Sequence, residues 1–150
     1  MKSLALMCAL LLSTIATPAQ DRSTTAPPYN VRVQLHDDYD ALNSSIINAV
    51  KAKISAKQNF NIVDKQELAD IQLIIHCKFT ADRASIGCAT HSTYWYGGIP
   101  NPLTTEILVS TDVPTMVDLI IHDFDEDTTP ASLAKELKWS QAQIAWIKSR

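Results

Sequence analysis

Four histidines give this chain its widest chemical range: His36, His76, His91 and His122. His36 and His122 are each followed by an aspartate, Asp37 and Asp123, and each falls at or near the end of an expected strand. Were those two strands neighbours, His36, His122, Asp37 and Asp123 would offer nitrogen and oxygen donors to zinc or copper. No H-x-x-x-H spacing reinforces that reading, and four partly exposed polar histidines are the plain alternative. Asp123, Asp125 and Asp127 match the first three ligand positions of a calcium loop. The match ends at Thr128, where glycine is needed, and at Ala134, where a glutamate is needed. Ser92 stands beside His91, but neighbours on a strand point to opposite faces, and the chain has no G-x-S-x-G elbow. These residues make a poor case for an enzyme, and no cofactor is expected.

The chain has three cysteines. Cys8 lies inside the apolar N-terminal run, too early for a lipoprotein cysteine. Cys77 and Cys88 sit on two extended runs, Ile71 to Phe79 and Ile86 to Thr93, separated by the polar break Ala81-Asp82-Arg83. A hairpin turning between Asp82 and Arg83 sets Cys77 opposite Cys88, within reach of a disulfide; two free thiols are the alternative.

Tyr94-Trp95-Tyr96 followed by Gly97-Gly98 is the strongest feature outside the expected core. Three consecutive aromatics cannot all face one core, so at least one is expected at the surface. Tyrosine and tryptophan there suit an interface with another protein. A hydrophobic plug between sheet and helix is the simpler reading of the same residues.

The elements that must position these groups follow from periodicity. Val31, Val33 and Leu35 alternate with polar residues and form a first strand. Leu42, Ile46, Ile47, Val50 and Ile54 share one helical face, predicting a helix across Tyr39 to Lys57 with Asp38 or Asp40 as its cap. Phe60 to Val63 is a short strand, Lys65 to Ala69 a single helical turn, and the central hairpin follows. Gly97 to Leu103, with two glycines and two prolines, reads as a loop; Thr105 to Thr111 and Val117 to Phe124 read as strands. Thr129-Pro130 starts a C-terminal helix that can break near Trp139 into two. The expected fold is α+β: a two-layer sandwich with a mixed, mostly antiparallel sheet, one face covered by helices and the other partly open.

The tail from Ser132 also resembles the turn of repressor-type helix-turn-helix domains, through Leu133-Ala134-Lys135-Glu136-Leu137 and Ser140-Gln141-Ala142-Gln143-Ile144-Ala145. Strands precede it, its flank is acidic, and the formal charge of the chain is -3, so no nucleic-acid partner is expected. An amphipathic helical tail packed on the sheet is the preferred reading.

Residues 1–19 are expected to be a signal peptide: Lys2, an apolar run from Leu4 to Ala16, and small residues at Thr17 and Ala19. The run falls short of the roughly 20 residues that span a membrane, so no membrane span is expected after cleavage. Residues 20–30 then read as a linker and 31–150 as one domain, in the periplasm or secreted. An oxidising compartment suits the cysteine pair.

Phe60-Asn61-Ile62-Val63-Asp64 and Ala69-Asp70-Ile71-Gln72-Leu73-Ile74-Ile75 match a bacterial envelope pattern, in which a short F-x-V-V-D strand precedes a long strand opened by Ala-Asp. On these motifs the chain resembles the small α/β domain of curli-secretion lipoproteins and the amino-terminal domain of the Tol-system periplasmic protein. The likeness covers roughly Val31 to Phe79. It implies a domain used for protein–protein contacts in envelope assemblies. An acylated mature cysteine and a following propeller are not expected in this chain. The expected function is therefore an exported, non-enzymatic accessory protein of the cell envelope that binds another protein, with Tyr94, Trp95, Tyr96, Gly97 and Gly98 at the contact. The alternatives are a small zinc- or copper-binding protein, or an inhibitor or immunity protein against a toxin or hydrolase.

Overall fold

Alternation along Ile71–Phe79 places Ile71, Leu73, Ile75 and Cys77 on one side of a strand, and the whole sheet is built outward from it. The computed structural model describes residues 28–36 and 40–149; the expected signal peptide and most of the expected linker lie outside them. In chain order the elements are β1 (Tyr29–Leu35), α1 (Ala41–Ser55), β2 (Phe60–Ile62), a 3-10 turn (Gln66–Leu68), β3 (Ile71–Phe79), β4 (Ile86–Tyr96), β5 (Ile99–Ser110), α2 (Val113–Asp127) and α3 (Pro130–Lys148). The strands form one sheet in the order β2-β1-β3-β4-β5. β1 runs parallel to both β2 and β3, and β3, β4 and β5 form an antiparallel meander. This is the expected α+β sandwich, an open sheet with three helices packed on it.

Helix α1 starts where Asp40 caps it, its carboxylate accepting from the Asn43 amide at 2.7 Å. Ile46, Val50 and Ile54 are fully buried on its inner face against Val31, Ile71, Leu73 and Ile75. Asn43 sits on the same face, and its side chain acts as a short piece of missing strand. Its Nδ2 donates to the Cys77 carbonyl at 3.1 Å and its Oδ1 accepts from the Cys77 amide at 3.0 Å. Both backbone groups of Cys77 thus turn away from β4, which makes Cys77 and Cys88 a non-hydrogen-bonded pair. Such pairs bring side chains closest; the Cα atoms are 4.1 Å apart and the two cysteines form a disulfide. The expected register of the hairpin is the observed one.

Three segments depart from expectation. Val117 to Phe124 is not a strand but the middle of α2. Asp112 caps that helix through the Thr115 amide, Pro114 sits in its first turn, and Met116, Val117, Ile120 and Phe124 form its buried stripe. Gly97 to Leu103 is not a loop. Gly97 and Gly98, with φ of +58° and +80°, make a two-residue hairpin turn, and β5 begins at Ile99. Pro100 and Pro102 are tolerated because β5 is an edge strand whose outer side needs no amide partner. A register shift opposite Ser92/Thr93 then places Leu103 as the extra residue of a bulge. Finally, α3 runs unbroken through Trp139.

Candidate functional site: the sheet end around Trp95 and the open face

Because side chains alternate, β4 splits the aromatic trio. Tyr94 points to the helix-covered side and is only 5% exposed, packing edge-on to Tyr29 with ring centroids 6.5 Å apart. Burial there pushes its phenol above the usual range. Tyr94 is a core residue rather than a contact residue, and Tyr96, on the same side, packs partly against the core. Trp95 alone points to the other side. Its amide donates to the Asp70 carbonyl at 2.7 Å. Trp95, Gly97 and Gly98 meet Asp70, Ala69 and the Gln66–Glu67 turn around a cavity of about 590 Å³. The Asp70 carboxylate is held by the Asn30 amide at 2.8 Å. A side chain added at Gly98 would meet open space, whereas one at Gly97 would collide with Ile144 of α3. The structure thus gathers Trp95, Gly97 and Gly98 of the expected contact set and sends Tyr94 inward.

The sheet face shared with Trp95 carries Gln34, Gln72, Ile74, His76, His91, Ile107 and Val109. Gln72 donates to Gln34 at 3.0 Å, and His91 bonds Thr105 at 2.8 Å and Thr93 at 3.0 Å. Nothing among the described residues covers the edge of this face, where Ile107 and Val109 are 79% and 62% exposed. Sequence reasoning missed these two. Their alternation on an expected strand was visible, but only the sheet order shows that the strand is an edge with an uncovered face.

The proposed metal set is not brought together on adjacent strands. His122 lies on α2 and pairs with Glu126 one turn on, at 3.4 Å. His36 directly follows β1 and lies beside His76 on β3, with ring centroids 6.0 Å apart. Asp123 accepts from the Thr90 hydroxyl at 3.2 Å, and Asp37 lies outside the described residues. Among the described residues no group of three or more His, Cys, Asp or Glu side chains is arranged to hold a metal ion. Asp123, Asp125 and Asp127 lie within a helix, where Asp125 binds Lys57 at 2.6 Å. Ser92 and His91 stand on opposite faces, as their adjacency requires.

A partly buried polar cluster beside the core escaped the sequence reading. Asp127, the last residue of α2, faces Ser92 of β4. Burial, reinforced by the Asp123 charge, pushes its carboxyl up to about 6. Asp123 itself is raised, chiefly by burial, with Thr90 opposing the shift. The Ser92 hydroxyl and Asp127 Oδ2 are both buried without a hydrogen bond of normal geometry. Ile120, Asp123, Phe124 and Asp127 continue one helical stripe, a pattern visible only once the segment is read as a helix.

No protein-family model and no curated protein sequence matches the chain. Among solved structures, it is similar to a hypothetical protein from Chlamydia trachomatis, with 12% identity, 79% of this chain and 96% of that one covered, and a TM-score of 0.41. It is similar to a lipoprotein from Neisseria meningitidis, with 8% identity, 68% and 100% covered, and a TM-score of 0.43. A DUF330-family protein from Xanthomonas campestris gives 9% identity, 77% and 92% covered, and a TM-score of 0.44. None of the three carries a curli or Tol name. Among the described residues no helix is long and apolar enough to cross a membrane.

Proposed function

We propose that this chain is an exported accessory protein of the cell envelope, periplasmic or secreted, that works by binding another protein without catalysis. The observation that carries this reading is the uncovered sheet face. It ends in an edge strand whose Ile107 and Val109 stand in solvent, on the same face as Trp95 and its cavity. Edge strands with exposed apolar residues pair readily with further chain, and natural proteins shield them unless a partner does so. The apolar leader and the Cys77–Cys88 disulfide support an oxidising compartment. An inhibitor or immunity protein would use the same surface and differ only in its partner.

The test is photo-crosslinking in the native exporting cell, with the probe placed at Trp95, at Ile107 and, as control, at exposed Ser45 on α1. One discrete adduct from Trp95 or Ile107, absent from Ser45, is the expected result. Folded, exported protein that gives no adduct from either position overturns the proposal.

A further inference from the structure

Helix α3 is held to the rest of the fold by a narrow strip. Leu133 and Ser140 are its only fully buried side chains among the described residues. Leu137 and Ile144 turn the same way and are half-buried. A second side of the helix carries Lys135, Trp139, Ala142 and Trp146 at spacings of four, three and four, which is one continuous stripe. Trp139 is 49% exposed, Trp146 56%, and Ile147 at the same end 57%. Trp139 and Ala142 form one wall of a groove of about 610 Å³ whose other wall is Asn101 and Pro102 of β5, and Lys135, Glu136 and Lys138 also line it.

We propose that this stripe docks the protein on an anionic membrane surface. Charge selects that occupant. Helix α3 carries Lys135, Lys138 and Lys148 against Glu136, a balance of +2 from three lysines and one glutamate, in a chain whose formal charge is -3. The last turn of α2, just before it, is acidic through Asp125, Glu126 and Asp127. The positive charge is therefore segregated onto the element that exposes the tryptophans. Lysine is depleted from protein–protein interface cores, whereas tryptophan with lysine beside it suits the headgroup region of a lipid surface. The indole rings lie at headgroup level, and the lysine stems run along the acyl boundary with the ammonium groups at the phosphates. Acidic residues near the start of α3 orient it, so the Trp146–Ile147 end lies deepest. The attachment is peripheral and separate from the open sheet face.

The test is co-sedimentation of the full chain with vesicles of phosphatidylglycerol mixed into phosphatidylcholine, and with phosphatidylcholine alone. Binding to the anionic vesicles only, weakened several-fold between low salt and about 0.3 M salt, is expected. Trp139→Ser/Trp146→Ser lowers affinity about tenfold or more, in line with the loss of buried aromatic area. Lys135→Glu/Lys138→Glu removes the preference for anionic lipid. Brominated acyl chains quench tryptophan emission in the parent protein and not in the serine pair. Any of three results overturns the proposal: no sedimentation of protein whose circular dichroism shows it folded, equal binding to both vesicle types, or binding that both double variants leave unchanged. Concentration-dependent dimerisation lost in the serine pair, without vesicle binding, also overturns it and assigns the stripe to a second copy.

Discussion

The two ends of the sheet are packed by different rules. Under α1 the core is dry: Ile46, Val50 and Ile54 meet Val31, Ile71 and Ile75, and the single buried polar side chain of the helix, Asn43, has its bonds satisfied. Under the end of α2 and α3 the contact is polar. Asn101 donates to Ser140, while Asn101 Oδ1 and Gln143 Oε1 are buried without partners and Ser92 Oγ and Asp127 Oδ2 face each other without a hydrogen bond of normal geometry. An unmet buried polar group subtracts from stability, and a dry helix face adds to it. The difference teaches where the fold is held and where it remains adjustable: β1, α1 and β3 hold it, and α3 rests on it.

The largest effect separating the two halves is cavity formation. Ile46→Ala, at a fully buried position of α1, is expected to lower unfolding stability by about 3–4 kcal/mol. Ile144→Ala, at a half-buried position of α3, is expected to lower it by about 1 kcal/mol or less. Chemical denaturation of both variants decides it. Equal losses would show that α3 is as firmly integrated as α1, which breaks the comparison.

Polar bridges give the next effect. Asn43→Ala leaves the Cys77 amide and carbonyl buried without partners, an expected loss of about 2–3 kcal/mol. Ser140→Ala removes one partner from Asn101, whose remaining oxygen is already unmet, and the expected loss is about 1 kcal/mol. Amide exchange sharpens the contrast: α1 should open only with global unfolding, and α3 well below that energy. A Ser140→Ala loss as large as that of Asn43→Ala would mean that the polar contact under α3 is a real anchor.

The legible parts of the sequence were those in which local and tertiary signals agree. Alternation through Ile71, Leu73, Ile75 and Cys77 set both the strand and the register that pairs Cys77 with Cys88. Thr129-Pro130 set the start of α3. Val117 to Phe124 was misread because its β-branched residues satisfy a strand pattern over a short window; the period of 3.6 emerges only when Asp112 and Pro114 are taken as a helix start. Pro100 and Pro102 hid β5, since proline forbids a central strand but not an edge, and edge status is a property of the whole sheet. Asn43 could not be assigned a role from sequence, because its partner is the backbone of a residue 34 positions away. Where the expected contact residues would lie was half legible for the same reason. Alternation separates Tyr94 from Trp95, but which side lacks helices depends on where all three helices pack.

Acidity probes the polar end alone, with the smallest effect. Asp127 has its carboxyl pushed up to about 6 by burial, next by Asp123, and further by Glu106 and Glu126, while Ser92 opposes the shift. Unfolded, it returns to about 3.8. A raised folded-state value means that the folded protein binds the proton more tightly, so stability rises as pH falls through 6 toward 4 and is lost again above 6. Asp123, also raised, acts in the same direction. The full shift corresponds to about 3 kcal/mol, and partial solvent exposure reduces the expected gain to about 1 kcal/mol. Asp127→Asn should therefore stabilise by about 1 kcal/mol at pH 7, give little at pH 4, and flatten the profile between. Hydrogen exchange in α3 should slow along the same curve while α1 is unmoved. A profile that keeps its slope in Asp127→Asn would place the titrating group elsewhere, and one that moves α1 and α3 together would show that the two ends of the sheet unfold as one unit.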